Sequence, residues 1–135
     1  MIVRRGEFPE AVAALGGAPL EVWRHPDAYN VFLYASEADV ISLQPDCRAL
    51  AALGVDSFIA TAPGSETDVV SRVFAPGSGV DEDSVTGSAH AVLAPFWAER
   101  LGRDSFTARQ ASARGGLLTC RLDSNRVWLE GSCIT

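Results

Sequence analysis

No stretch of these 135 residues approaches the ~20 consecutive apolar positions that a membrane-spanning helix requires. The opening segment MIVRRGEFPEAV carries a basic pair but no apolar run behind it, so no leader peptide is expected and the chain reads as cytoplasmic. Cations are scarce too: 11 Lys and Arg stand against 17 Asp and Glu, for a formal charge of -6. They are scattered along the chain, which excludes nucleic acid and anionic membrane as expected partners, because both need clustered positive charge. Histidine is limited to His25 and His90, far apart and without His or Cys neighbours at ligand spacing, so no metal site is expected. The three cysteines, Cys47, Cys120 and Cys133, form no CxxC pair and cannot all pair with one another, and they read as buried free thiols in a reducing compartment.

Low-complexity tracts, linkers and sustained charge runs are also missing, and a single domain over residues 1–135 is the expectation. The chain is 47% hydrophobic, and at its length folding buries roughly 68% of the surface exposed when unfolded, so a core needs no disulfide or metal to support it. In EFPEAVAALGG, Phe8, Val12 and Leu15 fall on one helical face, with Pro9 near the start and a glycine pair at the stop. LEVWRH and AYNVFLYAS read as strands. PDCRALAALG is a second short helix opened by Pro45 and closed by Gly54, with Cys47, Leu50 and Leu53 on one side. VDSFIATAPG and TDVVSRVFAP read as a hairpin joined at Gly64 and Ser65.

A loop then leads into a helix from about Gly87 to Leu101, with Ala89, Leu93, Phe96, Trp97 and Leu101 as its apolar stripe and Gly102 as its stop. Pro95 lies in its middle, where a lost hydrogen bond and a steric clash typically cost ~3 kcal/mol, so a kink or a boundary is expected there. SFTARQAS, GLLTCRLD and RVWLEGSCI complete the chain as an antiparallel meander. The fold class is α+β, with the long helix packed on a largely antiparallel sheet.

The loop, GVDEDSVTGSAH, holds the candidate chemistry. Thr86, Gly87 and Ser88 stand at the start of the long helix, where the first backbone N–H groups lack intrahelical partners and the dipole favours an anion. The same hydroxyls serve equally well as helix caps, and Asp81, Glu82 and Asp83 just before them could cap the helix or face solvent. Spacing leaves these readings open.

The run RVFAPGSGVDEDSVTGSAHAVLAPFWAERLG, followed by ARQASARGGLLTCRL and RVWLEGS, resembles the second half of the PhzF-like phenazine biosynthesis family, whose fold is that of diaminopimelate epimerase. The most specific parts are RVFAP, EDSVTGSAH, which is similar to the family's EDPVTGSAH with Ser84 in place of the proline, and the SARGG turn. The resemblance implies two similar lobes, each a curved sheet wrapped around a central helix, with the cleft between them, and this chain looks like the C-terminal lobe. It implies a cofactor-independent isomerisation, a proton moved within a small carboxylated substrate as in conversion of dihydro-hydroxyanthranilate toward a ketone. Asp83 matches the family's acidic site residue, Thr86, Gly87 and Ser88 match the segment bordering the substrate, and His90 matches the same motif one turn into the helix, where it can also serve to stabilise the loop. Arg114, Gly115 and Gly116 match a turn that needs glycine for backbone reasons alone.

Two departures qualify the activity. The family's principal acid/base glutamate belongs to the first lobe, nothing here resembles that lobe, and none of the cysteines falls in the VTGSAH loop, which disfavours cysteine-based racemisation. Activity is therefore expected to need a complementary N-terminal lobe or a homodimer. The alternative is a non-catalytic module that binds small anions or a partner, or a truncated relic.

Overall fold

The computed structural model describes residues 4–5, 7–25, 29–54, 56–83, 87–111, 116–123 and 126–133. In chain order these form β1 (Arg4–Arg5), α1 (Pro9–Leu15), β2 (Glu21–His25), β3 (Tyr29–Leu33), α2 (Glu37–Ile41), α3 (Cys47–Ala51), β4 (Ser57–Pro63), β5 (Val69–Ala75), a 3-10 turn (Pro76–Ser78), β6 (Val80–Asp83), α4 (Gly87–Leu101), β7 (Ser105–Gln110), β8 (Gly116–Asp123) and β9 (Arg126–Cys133). The strands make one sheet in the order β1-β2-β3-β4-β5-β7-β8-β9, and β6 is a spur that pairs with β5.

All neighbours are antiparallel except β3 with β4 and β5 with β7. A parallel step needs a crossover. The first crossover carries α2 and α3, and the second carries β6 and α4. These helices lie on opposite faces of the sheet, which produces three layers.

The alternation of side chains along the strands shows this division directly. Val31, Leu33, Ile59, Val69 and Val73 join Val92, Leu93, Phe96 and Trp97 of α4 in one core, which Phe106, Ala108, Leu118 and Cys120 complete from β7 and β8. Their neighbours Phe32, Phe58, Ala60, Val70 and Phe74 turn the other way and pack on Ala11, Leu15, Val40 and Leu50 of α1 to α3. Because β2 to β5 and β7 to β9 all contribute to the first core, the sheet wraps around α4 as a central helix.

The hairpin β4–β5 is in the expected place, with Phe58 opposite Phe74, and so is the meander β7–β8–β9. The sheet holds its parallel joint between β5 and β7 with three registered pairs, Val69 with Ala108, Val70 with Arg109 and Ser71 with Gln110. Asp68 reinforces that joint: its carboxylate accepts from the Thr107 amide at 2.9 Å and pairs with Arg103 at 2.8 Å.

Several local expectations change. α4 runs unbroken through Pro95 for 15 residues, so no boundary forms there. The backbone bond that proline removes is outweighed by packing, since Val92, Leu93, Ala94, Phe96, Trp97 and Ala98 are all buried around it. The start of α3 is set by Asp46, whose side chain accepts from the Ala49 amide at 3.1 Å, and Pro45 stands one residue outside that cap. The strand expected over AYNVFLYAS ends at Leu33, and its last residue, Ser36, instead caps α2, formed by the segment EADVI, unassigned from sequence and anchored by the buried Val40. VDED, expected as loop, is strand β6.

Candidate functional site

Two consecutive residues of β5 organise the approach to α4. Ser71 faces the inner layer and is fully buried, with its Oγ 3.4 Å from Nε2 of His90, which is itself fully buried in the first turns of α4. Arg72 faces the outer layer. Its Nε and Nη2 donate to the two carboxylate oxygens of Glu82 on β6, each at 3.0 Å, in a bidentate fork. Its Nη1 donates to the carbonyls of Val40, Ile41 and Leu43 at 3.1, 3.3 and 2.8 Å, which closes the C-terminal end of α2 with positive charge. The guanidinium also sits 5.0 Å from the centroid of the Phe74 ring.

Ser71 belongs to a polar row that crosses the inner face of the sheet beneath α4. Thr61 is in register with Ser71, and Ser71 with Gln110, and all three are fully buried. Thr61 Oγ1 donates to the Val70 carbonyl at 2.9 Å and accepts from Nε1 of Trp97 at 3.0 Å. His90 and Trp97 are two helical turns apart, so both fall on the face of α4 that meets the row. Buried polar groups need partners, and these pairs therefore fix the rotation and register of α4 on an otherwise apolar surface.

The segment in question lies between these anchors. Asp83 ends β6 with its Cα paired to that of Val73, and α4 opens at Gly87 and Ser88. Thr86 and Ser84 lie outside the described residues, as do Arg114, Gly115 and the side chains of Asp83 and Ser88. His90 is brought against Ser71. Two concavities, of about 420 and 700 Å³, lie on the other side of the sheet around Gly16, Gly17 and Ala18, and neither is lined by a residue of β6 or α4.

Burial limits the chemistry of one thiol, while Cys47, expected as buried, is partly exposed. Cys120 is fully buried under α4, and desolvation pushes its thiol up to about 11, so it stays protonated at neutral pH and is no nucleophile. Among the described residues no group of three or more His, Cys, Asp or Glu side chains could hold a metal ion. No helix among them is long and apolar enough to cross a membrane.

The sequence marks the ends of this segment but not what holds them. In it Ser71, Arg72, Thr61 and Gln110 stand out only as parts of strands, and Glu82 only as one of three loop acids. The available signal is an arginine inside the apolar strand VVSRVFA, since a cation flanked by buried positions must find a carboxylate or carbonyl partner.

Comparison with known proteins bears on the family and the fold. The family model for phenazine biosynthesis-like protein matches residues 11–135. An uncharacterized isomerase of Pseudomonas aeruginosa is 49% identical over 129 residues, which are 96% of this chain and 49% of the relative. A second uncharacterized isomerase, of Halalkalibacterium halodurans, is 40% identical over 93% of this chain and 48% of its own. A crystal structure of a PhzF-family phenazine biosynthesis protein from Enterococcus faecalis superposes with a TM-score of 0.89 at 37% identity, over 100% of this chain and 53% of the other. The chain thus spans about half the length of the relatives it matches.

Proposed function

The chain belongs to the phenazine biosynthesis-like protein family, and from that premise we propose that it supplies the substrate-binding half of a cofactor-independent, cytoplasmic isomerase. One observation carries the reading: β6 ends at Asp83 and the central helix opens at Gly87, so an acidic residue stands close along the chain to the amide end of a 15-residue helix. A positioned carboxyl group suits transfer of a proton at carbon, and unpaired helix amides suit the carboxylate of a small substrate.

In this reading the substrate carboxylate is held by the amides of Gly87 and Ser88 and the hydroxyl of Thr86. The same groups offset the negative charge that develops when the proton leaves carbon. Asp83 gives or takes the proton, which departs from one carbon of the substrate and returns to another, so the step consumes no oxidant or reductant. His90, enclosed against Ser71, acts by keeping the first turn of α4 in place. The opposing carboxyl group comes from a complementary N-terminal lobe or from a second copy of this chain in a homodimer.

The test is deuterium uptake from heavy water into dihydro-hydroxyanthranilate, followed by mass spectrometry, with the chain alone and mixed with a first-lobe polypeptide. Uptake is expected in at least one preparation, and Asp83→Asn should lower it by about 10²-fold or more. A folded mixture that shows no uptake would count against the isomerase reading. Equal carboxylate binding by wild type and Asp83→Asn, without exchange in either, would instead identify a non-catalytic anion-binding module.

A further inference from the structure

β6 has little of its own to hold it. It is a spur of four residues, VDED, paired on one side with β5 through a register that shifts between Val73 and Ala75, and three of its residues are acids of low strand propensity. Its position must therefore be set by side chains, and the bidentate contact of Glu82 with Arg72 supplies this. The arginine side chain is only 13% exposed and the glutamate 23%, so the pair is shielded well beyond an ordinary surface ion pair. The guanidinium is in turn fixed from its other edge by the carbonyls of residues 40, 41 and 43, which leaves the fork a single direction in which to present Glu82.

Downstream, His90 is held by Ser71, the residue immediately before Arg72. Adjacent residues of β5, on opposite faces of the sheet, thus grip the two flanks of the segment from Asp83 to Ser88. We infer that Arg72 is a positioning residue for this segment: acting through Glu82, it sets where β6 ends, and with Ser71 it forms a two-point clamp that fixes the Asp83 backbone relative to the first turn of α4. The inference rests on the reading of that segment as a carboxylate site, but concerns how the site is held and not what it converts.

Glu82→Gln separates the clamp from a mere cap on α2, because it removes the carboxylate while leaving Arg72 its three carbonyls. Arg72→Met removes both, and Arg72→Lys keeps the charge without the fork. The full chain is labelled with ¹⁵N and titrated with benzoate, and the amides of Gly87 and Ser88 are followed by NMR. Glu82→Gln and Arg72→Met should each weaken benzoate binding about tenfold, with Arg72→Lys failing to restore it, and Glu82→Gln should leave the amides of residues 40–43 unmoved. Should wild type not bind benzoate, the site reading fails, and the clamp is judged by amide hydrogen exchange. Exchange at Asp83 and at Ala91, whose amide pairs with the carbonyl of the first residue of α4, should then rise about tenfold in both variants. Affinity and exchange unchanged within twofold in Glu82→Gln, or changes in Arg72→Met confined to residues 40–43, would overturn the inference. If Arg72→Met does not fold, Glu82→Gln decides alone.

Discussion

Replacing Thr61 by valine changes almost nothing in shape and removes one oxygen, yet it should be among the more damaging conservative substitutions in the chain. Thr61 Oγ1 is buried and engaged twice, accepting from Trp97 Nε1 and donating to the Val70 carbonyl. In Thr61→Val the indole N–H stays buried with that acceptor gone, which costs about 1–3 kcal/mol, and the lost bond to Val70 adds about 1 kcal/mol. A total of roughly 2–4 kcal/mol corresponds to a fall in Tm of about 6–15 °C for a domain of this size. Urea titration followed by far-UV circular dichroism measures it without relying on tryptophan emission. The sharper measurement is the cycle with Trp97→Phe: once the donor is gone, Thr61→Val should cost about 1–2 kcal/mol less than in wild type. A single-mutant cost below about 0.5 kcal/mol, or a cycle with no coupling, would refute the claim that the polar row under α4 fixes its seat.

Asp68 is held below the ordinary carboxylate range, chiefly by the Thr107 amide and then by Arg103. Its folded value is depressed, so its stabilisation is full above the unfolded value of about 4 and is lost as pH falls through the folded one. Asp68→Asn should accordingly lose less stability than wild type when urea midpoints are compared between about pH 5 and 3. Cys120, buried and shifted up to about 11, should resist a thiol reagent at pH 7 and react fully in urea, whereas the partly exposed Cys47 should label in the native state. Peptide mapping by mass spectrometry distinguishes the two, and native labelling of Cys120 at the rate of Cys47 would contradict the packing described.

Elements that carry their own periodicity are legible in the amino-acid sequence itself. The stripe of α4, the alternating strands β7 and β8, and the strands β4 and β5 around Gly64 and Ser65 need only local pattern and turn chemistry. β6 is not legible there, because acidic VDED has the look of a loop and its pairing depends on Arg72 ten residues away. α2 is five residues long with one buried side chain, too little for a helical period to register. At the candidate site the motif marks the segment itself, through resemblance more than spacing. The Ser71 to His90 contact has no signature in the sequence because it joins a strand to a helix across a crossover, a relation that no one-dimensional spacing encodes.

The narrow joint between β5 and β7 divides the sheet into two leaves hinged along one line. Three residue pairs, the Ala111 amide donating to the Ser71 carbonyl at 2.7 Å and the Asp68 clasp span it, whereas β8 and β9 share eight pairs, so β7–β8–β9 is bound more firmly within itself than to the rest. Partial opening should follow that line, with the meander swinging away as one unit before the strands inside it separate. Such a motion would bare one flank of α4 and loosen the pairing beside Ser71 at the same moment. Opening along that line therefore begins next to the residue that steadies the start of the central helix.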